Sequence, residues 1–455
     1  MNMTILSQQH PRRSQPSSGF PSADWLETIT SEPDSLWRDT FGKAASFGGD
    51  LPSHTKWDVA IIGGGITGIS AALHLAEKGI QCVLLEAGTV GSGASGRSNG
   101  QVIAGLKLNP VVLYDNFGLD RGARFARFAG STADYLFALI DRFGISCRLQ
   151  RTGWLQPASD NKKLHTVYER ARAWQEAIGV SLQFVDAAEV SRLTGAAGYV
   201  GGWIDPRNGQ LDPLQFVHGM ASAAKSLGTK IHERCPVFAI RRISGAWELE
   251  TSLGVVGAQS VIVATNAYTG KLIPRLGRSI IPATSVQIAS APLTARQRAE
   301  ILPSGLPVSD AKRLLNYLRI SPDGRLVFGG RGSFSYRYPP KALTRLRQQA
   351  ARMFPAAAGL EWTHGWGGAV ALTADFLPHL HKVEENLFAG LGYNGSGIAM
   401  ATSFGRDLAR LATGVRAEEL DVPVTVLDPI PLHAFRRPAL EALAIWYRML
   451  DRIGR

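Results

Sequence analysis

The chain has 455 residues, of which 45% are hydrophobic and 19% are charged, as in globular proteins and unlike disordered ones. Its 49 Lys and Arg residues exceed its 37 Asp and Glu residues, which gives a net charge of +12 and admits anionic partners. The three cysteines are too far apart for a disulfide framework or a thiolate zinc site. Every apolar stretch is too short to span a membrane, so we expect a cytoplasmic protein without membrane contact.

The first 50 residues are rich in Ser and Pro and carry isolated aromatic residues at Trp25 and Trp37. We interpret them as a loosely structured arm whose aromatic side chains dock on the body of the protein. The remaining length exceeds what one hydrophobic core usually supports. The sequence therefore predicts at least two structural units after the arm.

A strand–helix–strand pattern follows the arm. Residues 57–62 form a short apolar run without alternation, which is typical of a strand buried on both faces. Apolar residues spaced by three and four predict a helix from Ile66 to Lys78, with Gly79 as its stop signal. Residues 82–85 predict a second buried strand. Together these elements form one βαβ unit.

The turn between the first strand and the helix carries Gly63, Gly65 and Gly68 in the pattern G-x-G-x-x-G. In this pattern one glycine makes the tight turn, the next lets a pyrophosphate approach the backbone, and the third lets the helix pack on the strand. The phosphates then face the positive end of the helix dipole. Glu86 ends the second strand, where a carboxylate binds ribose hydroxyls and repels a 2′-phosphate. The pattern predicts a dinucleotide site that disfavours NADP.

The later part of the chain mixes helix and strand signals. Residues 111–185 have a mainly helical pattern, and strand signals return at 248–251 and 260–264. Residues 314–328 predict two paired strands around the turn Ser321-Pro322-Asp323-Gly324. Residues 438–453 predict an amphipathic helix, which we expect to dock on its own domain rather than on a membrane.

Three further segments favour FAD over NAD. A loop of small residues with one arginine, over 91–101, offers backbone donors to a cofactor longer than NAD. The strand signal over 261–267 ends in small residues that can lie against the cofactor. A glycine-rich turn over 390–398 opens a second helix, whose positive end suits the electron-rich edge of a reduced flavin.

These motifs resemble those of the FAD-dependent oxidoreductases of the D-amino-acid oxidase superfamily, and most of all its γ-glutamylputrescine oxidase-like branch. The resemblance runs from about residue 55 to 415 and is most specific in GGGITGISAALHLAEKG, GSGASGRSNGQV, VIVATNAY and GLGYNGSGIAM. It implies an α/β fold with a Rossmann-like FAD-binding domain and a second α+β substrate domain that carries an antiparallel sheet.

The resemblance also implies how the chain is divided. We expect the FAD-binding domain to be discontinuous and the substrate domain to be inserted into it, with an extension at either end. The expected ranges are 1–50 for the N-terminal extension, 51–110, 186–283 and 358–416 for the FAD-binding domain, 111–185 and 284–357 for the substrate domain, and 417–455 for the C-terminal extension.

The resemblance assigns cofactor contacts to the positions that match the family motifs. It implies pyrophosphate contacts in the first glycine turn, a ribose contact at the acidic strand end, an adenine contact in the turn at Val237, and flavin contacts in the two later loops. The implied residues are Gly63, Gly65, Ile66, Thr67, Gly68, Glu86, Ser95, Gly96, Arg97, Gln101, Val237, Gly392, Asn394, Gly395, Ser396, Gly397 and Ile398. Residues 88–110 contain no His and no Cys follows Cys235, so we expect FAD to be bound non-covalently.

The implied chemistry is oxidation of the C–N bond of a small-molecule amine or amino acid by hydride transfer to flavin N5, giving an imine that hydrolyses. Oxygen or another electron acceptor would then reoxidise the flavin. We identify no dedicated catalytic residue. Candidate substrate contacts are Arg319 or Arg331 as partners of an acidic group, and Trp366 and Tyr393 as walls of the pocket. His364, His379, His381 and Asp375 lack a recognised ligand spacing, so we expect no metal.

Two other classes of function stay open at this point. An NAD-linked dehydrogenase would share the first glycine turn, and its purified protein would be colourless. A non-catalytic nucleotide-binding protein would share it too, and the net charge admits a nucleic acid as partner. Basic residues are scattered among acidic ones, however, so we expect no nucleic-acid binding.

Overall fold

The computed structural model describes residues 35–42, 45–49, 51, 56–312 and 315–436. Trp25 and the helix expected over 438–453 lie outside the described residues. Among the described helices, none combines the length and the apolar character that a membrane span requires.

Strands and helices alternate along the described chain. The strands are β1 (Lys56–Ile62), β2 (Cys82–Leu85), β3 (Gln101–Val102), β4 (Trp154–Ala158), β5 (Gln183–Asp186), β6 (Gly201–Asp205), β7 (Gly209–Gln210), β8 (Lys230–His232), β9 (Val237–Ile243), β10 (Ala246–Thr251), β11 (Gly254–Val263), β12 (Ile281–Pro292), β13 (Val308–Ser309), β14 (Tyr317–Ile320), β15 (Arg325–Arg331), β16 (Trp362–Leu372), β17 (His379–Glu384), β18 (Leu387–Leu391) and β19 (Val424–Thr425). The α-helices are α1 (Leu36–Phe41), α2 (Ile66–Ala76), α3 (Val111–Phe117), α4 (Leu119–Gly130), α5 (Thr132–Phe143), α6 (Asn161–Ile178), α7 (Ala187–Thr194), α8 (Pro213–Ser226), α9 (Pro274–Gly277), α10 (Ala295–Glu300), α11 (Lys341–Met353) and α12 (Gly397–Ala412).

The first sheet is built around the predicted βαβ unit. Its strands lie in the order β19-β17-β18-β11-β1-β2-β8, and β9 and β10 extend from β11 as an antiparallel pair. The pairs from β18 to β8 are parallel. The four residues of β2 are fully buried, as the unbroken apolar run predicts. Helices α2, α8 and α12 pack together beside this sheet, so the N-termini of α2 and α12 come near its strand ends.

The second sheet is antiparallel except for one short pair. Its order is β16-β12-β15-β14-β13-β4-β6-β5, and only β13 and β4 run parallel. The predicted strand pair around the turn at Ser321 is confirmed as β14 and β15. Residues 111–185 are less helical than predicted, because β4 and β5 interrupt them to join this sheet. Both strands pair with β6, and long-range pairing of this kind leaves no local signal.

The division of the chain into domains stays a proposal. Strands β6 and β16 belong to the second sheet, although the expected ranges placed them in the FAD-binding domain. We propose that both strands belong to the substrate domain, since their hydrogen bonds are made with its sheet.

The described part of the N-terminal arm is ordered and docked, rather than loosely structured. Ser35 caps helix α1 by accepting a hydrogen bond from the backbone of Arg38. Leu36 and Trp37 are each 1% exposed and belong to the main hydrophobic core. The three cysteines are buried and free.

Candidate cofactor and substrate site

A cavity of about 770 Å³ is lined by residues of both sheets. It touches the first glycine turn at Gly63, the small-residue loop over 93–101, the strand end at Ala264 and the late loop over 393–398. These are the four segments from which the sequence predicts a single cofactor site. They are far apart in the sequence and adjacent in the fold.

The first glycine turn leaves the N-terminus of α2 open to the cavity. A Cβ atom on Gly68 would lie 1.9 Å from the carbonyl oxygen of Gly63, so only glycine lets the helix pack on the turn. Gly63 has φ +110°, where L side chains are strained. Ser95 Oγ accepts a hydrogen bond from the Ile66 amide at 3.0 Å. The helix end therefore presents its dipole and backbone donors where a phosphate would bind.

Glu86 lines the cavity and also holds the turn in place. Its Oε2 accepts a hydrogen bond from the Gly64 amide at 2.6 Å, and its Oε1 accepts one from the Gly88 amide at 2.7 Å. Burial raises the pKa of the Glu86 carboxyl, and the two backbone hydrogen bonds oppose that shift. Each carboxylate oxygen keeps a further lone pair, so Glu86 can still accept bonds from ribose hydroxyls.

Direct hydrogen bonds join the late loop to the first half of the site. The hydroxyl groups of Thr67 in α2 and Tyr393 lie 2.7 Å apart, across 326 positions of sequence. The Gly392 amide donates to Asn266 Oδ1 at 3.0 Å, and Asn394 Nδ2 donates to the Gly392 carbonyl at 2.6 Å. Helix α12 begins here with no side-chain cap at Ser396, so its N-terminal amides face the cavity.

Most of the predicted cofactor residues line the cavity. They are Gly63, Gly65, Ile66, Thr67, Glu86, Ser95, Arg97, Gln101, Val237, Asn394, Gly395, Ser396, Gly397 and Ile398. The side chain of Gln101 is already occupied, because it accepts from Trp154 and Ser309 and donates to two backbone carbonyls of the second sheet. Gln101 therefore ties the loop to that sheet.

Three predicted glycines lie behind the lining instead of on it. A Cβ on Gly96 would meet the Gly91 carbonyl at 2.5 Å, and a Cβ on Gly392 would meet Thr373 at 2.3 Å. Gly68 packs on Gly63 as described above. All three permit close packing of the backbone beneath the cavity, and the structure does not bring them to its surface.

The structure places two of the predicted substrate contacts, Arg319 and Trp366, away from the cavity lining. Arg319 is completely buried, and its Nη1 donates to the carbonyls of Asn99 and Leu211 at 3.0 and 2.6 Å. Trp366 is 1% exposed, and its Nε1 donates to the Arg97 carbonyl at 2.9 Å. Each side chain donates at least one hydrogen bond to a backbone carbonyl of the small-residue loop. The other two candidates, Arg331 and Tyr393, do line the cavity.

Among the cavity residues that sequence reasoning missed are Lys107, Arg170 and Tyr317. Lys107 is exposed to the cavity, and its Nζ donates to the Asn394 carbonyl at 2.9 Å. Inside the cavity the ammonium group is partly removed from water, and this desolvation lowers the pKa of Lys107 to about 8. The positive charges of Arg331 and Arg170 add to this lowering. Arg170 in turn donates to the Lys107 carbonyl at 2.9 Å. None of the three lies in a motif that would mark it.

The histidines that suggested a metal have other partners. His364 bonds Asp39 in α1 at 2.8 Å, and His379 bonds Asp375 at 3.1 Å. Asp375 also accepts from the Leu377 amide, as a turn-forming aspartate does. Across the described ranges, no group of three metal-ligating side chains comes together.

The residues present fit FAD. Open helix N-termini meet the cavity at two separate places, and a carboxylate lies at the end of β2. Gly63 and Gly65 have no side chain, so a phosphate can approach their backbone closely. A Cβ on Gly65 would already lie 2.8 Å from Ser95 Oγ. This donor and acceptor set suits a long dinucleotide that runs from the first sheet toward the second.

Comparison with known proteins agrees with this geometry. The family model described as FAD dependent oxidoreductase matches residues 58–411. The γ-glutamylputrescine oxidoreductase of Escherichia coli is 30% identical over 429 residues, which cover 94% of this chain and 100% of that protein. A probable oxidoreductase OrdL of Haemophilus influenzae is 31% identical, with 78% of this chain and 83% of that protein covered.

Solved structures share the fold. Glycine oxidase from Geobacillus kaustophilus aligns with a TM-score of 0.68 at 24% identity, covering 79% of this chain and 95% of that one. An L-proline dehydrogenase from P. horikoshii aligns with a TM-score of 0.67 at 22% identity, covering 81% and 96%. The predicted α/β architecture is confirmed. The chain therefore belongs to the family of FAD dependent oxidoreductases, and FAD is its cofactor.

Proposed function

We propose that the protein oxidises the C–N bond of an amine or amino acid that carries an acidic group. The observation that carries this proposal is an imbalance of charge on the cavity wall. Lys107, Arg170 and Arg331 line the cavity, and in the described part of the chain none of them has a carboxylate within ion-pair distance. Three acids that line the cavity are already paired: Asp160 with Lys163, Asp205 with Arg207, and Asp310 with Lys312. The fourth, Glu86, is bonded to two backbone amides of the first glycine turn and its surroundings.

An acidic group on the substrate would neutralise this wall. Uncompensated cations in a protein-lined cavity are costly, so they favour an anionic ligand. The same cations oppose an ammonium group and hence favour the neutral amine, the form that can release a hydride. FAD, when bound, would supply the acceptor for that hydride. The protein's part is to hold the substrate, orient its C–H bond and limit the access of water. The resulting imine hydrolyses in solution.

The relatives support an amine or amino acid as substrate. The Escherichia coli relative is named for γ-glutamylputrescine, and another from Geobacillus kaustophilus is a glycine oxidase that is 27% identical over 368 residues. We further propose that oxygen or another electron acceptor is the second substrate. Formation of hydrogen peroxide during turnover would distinguish oxygen from the other acceptors. We also propose a cytoplasmic location, which the free cysteines support and fractionation of cells would test.

The proposed FAD contacts are the cavity-lining residues from the first glycine turn, the small-residue loop and the late loop. The experiment that tests the function is anaerobic mixing of the yellow holoenzyme with amines, followed through the visible flavin absorbance. Each acidic amine is paired with its neutral amide. We expect the acidic member of a pair to bleach the flavin at lower concentration. Equal bleaching by both members, or bleaching by none of the amines tested, would contradict the proposal.

Binding of an acidic ligand should weaken as pH rises. Lys107 is charged below its pKa of about 8 and neutral above it, so its attraction for a carboxylate is lost as pH increases through that value. Titration of an unreactive carboxylate against the flavin spectrum between pH 6 and pH 10, roughly two pH units on either side, would measure this. The Lys107→Arg variant stays charged throughout and should lack the step. A step of the same size in that variant would assign it to another group.

FAD should be released when the protein is denatured. Among the residues that the structure describes, the cavity lining includes no cysteine and no histidine to form a covalent bond with the flavin. Acid precipitation should therefore leave a colourless pellet and a yellow supernatant. Colour retained in the washed pellet would show a covalent link.

A further inference from the structure

Consecutive backbone carbonyls on the small-residue loop accept hydrogen bonds from distant parts of the chain. The carbonyls of residues 97–100 each accept at least one hydrogen bond from another part of the chain. The bonds are Trp366 Nε1 to Arg97 O at 2.9 Å, Gln287 Nε2 to Arg97 O at 2.6 Å, Trp37 Nε1 to Ser98 O at 2.8 Å, Arg319 Nη1 to Asn99 O at 3.0 Å and the Leu211 amide to Gly100 O at 2.8 Å.

Most of these donors lie behind the loop. Loop residues over 93–101, apart from Gly96, line the cavity together with Gln287, whereas Trp37, Arg319 and Trp366 do not. The two tryptophan rings meet edge to face, with centroids 6.0 Å apart. The Arg319 guanidinium lies over the Trp37 ring at 5.2 Å. These three side chains form one packed group.

Arg319 fits this position only because the loop has glycine at residue 100. A Cβ there would lie 2.3 Å from Arg319 Nη1, and φ of Gly100 is +86°. Arg319 has no carboxylate within ion-pair distance in the described residues, and its Nε and Nη2 atoms have no hydrogen-bond partner there. The Trp37 ring lies over the guanidinium and, with the more distant carboxylates of Asp212 and Asp323, offsets its buried charge. A completely buried arginine that bonds two carbonyls at once is suited to fixing backbone, not to binding substrate.

We propose that Trp37 and Arg319 are positioning residues that hold the small-residue loop in the shape that binds FAD. Trp37 lies outside residues 58–411, the span that matches the family model, so the N-terminal helix is an accessory part of the cofactor site. The inference rests on FAD as the cofactor and is independent of the proposed substrate.

The pattern of donors gives a matched pair of variants. Trp37→Phe removes the one donor that the described residues offer to Ser98 O, while keeping an aromatic ring under Arg319. Trp366→Phe removes one of two donors to Arg97 O, because Gln287 remains. We expect Trp37→Phe to weaken FAD binding by about five- to tenfold and Trp366→Phe by about twofold or less. Titration of the apoprotein with FAD, followed by flavin fluorescence, measures both constants.

A second measurement separates positioning from general stability. Urea unfolding of the two apoproteins should give similar midpoints, since each variant loses one indole N–H from the same core cluster. The visible spectrum of bound FAD should shift in Trp37→Phe alone. Arg319→Lys places its nitrogen one bond closer to the backbone than Nη1 and loses the planar guanidinium, so it should also weaken FAD binding by about fivefold or more. The proposal would be overturned if Trp37→Phe and Arg319→Lys bound FAD as tightly as the unmodified protein does. Equal losses of FAD affinity in the two tryptophan variants would overturn it as well. This test stands even if one variant fails to fold.

Discussion

Replacement of Gly68 by alanine should give a protein that purifies without FAD. The added methyl group would lie 1.9 Å from the Gly63 carbonyl oxygen and 3.3 Å from the Ala264 side chain. Both neighbours are packed, so α2 must move away from the turn. Its first amides then leave the positions from which they face the cavity. We expect a loss of FAD affinity of about a hundredfold or more, as in other overpacked or misplaced sites.

The measurement is the ratio of flavin to protein in the purified variant, with FAD titration of the apoprotein as a second readout. Gly359→Ala is the matched control, because its Cβ would meet nothing within 4 Å and its φ is not in the left-handed region. We expect that variant to stay yellow. A Gly68→Ala protein with full FAD content would show that the helix and the turn are less tightly coupled than the structure shows.

The sequence predicts the first half of the site well, because its signals are local. Gly63, Gly65, Gly68 and Glu86 lie within one βαβ unit, where spacing alone determines which residues meet. The bond between Thr67 and Tyr393 spans 326 positions, and no local pattern in the sequence predicts it. Lys107 follows no motif at all. It reaches the late loop because α6 holds its backbone through Arg170, a tertiary contact without a sequence pattern.

The choice between Arg319 and Arg331 shows where a strand pattern stops being informative. Tyr317 lines the cavity, and Arg319 lies two residues further along the same face of β14, about 7 Å away. The alternation of the strand places both side chains on one face but does not show where the cavity ends. On β15, Val327 pairs with Arg319 and Gly329 pairs with Tyr317. Arg331 therefore lies beyond Tyr317 along the strand pair, at the end next to the cavity, whereas Arg319 lies on the other side of Tyr317.

That register also makes Arg331 the residue whose loss should affect catalysis most on the substrate side. It lines the cavity, and in the described chain it has no carboxylate partner there, while its guanidinium lies 5.3 Å from the Phe334 ring centre. Lys107 is close enough for Arg331 to lower its pKa. Arg331→Met keeps much of the side-chain volume and removes the charge. We expect kcat/KM for an acidic amine to fall by roughly 30- to 150-fold. This fall corresponds to a loss of about 2–3 kcal/mol of transition-state stabilisation.

The loss should be specific to the charge of the substrate. Because Arg331 is only half-buried, its effect on kcat/KM should stay below that of a fully buried ion pair. For the neutral amide of the same amine, kcat/KM should change little. Arg347→Met is the matched control, since Arg347 is exposed on α11 and away from the cavity. Steady-state kinetics with saturating FAD would measure all four combinations of variant and substrate. Equal losses for the acidic and the neutral substrate would mean that Arg331 shapes the cavity without binding the acidic group. Lys107 and Arg170 would then be the cavity cations that bind the acidic group of the substrate.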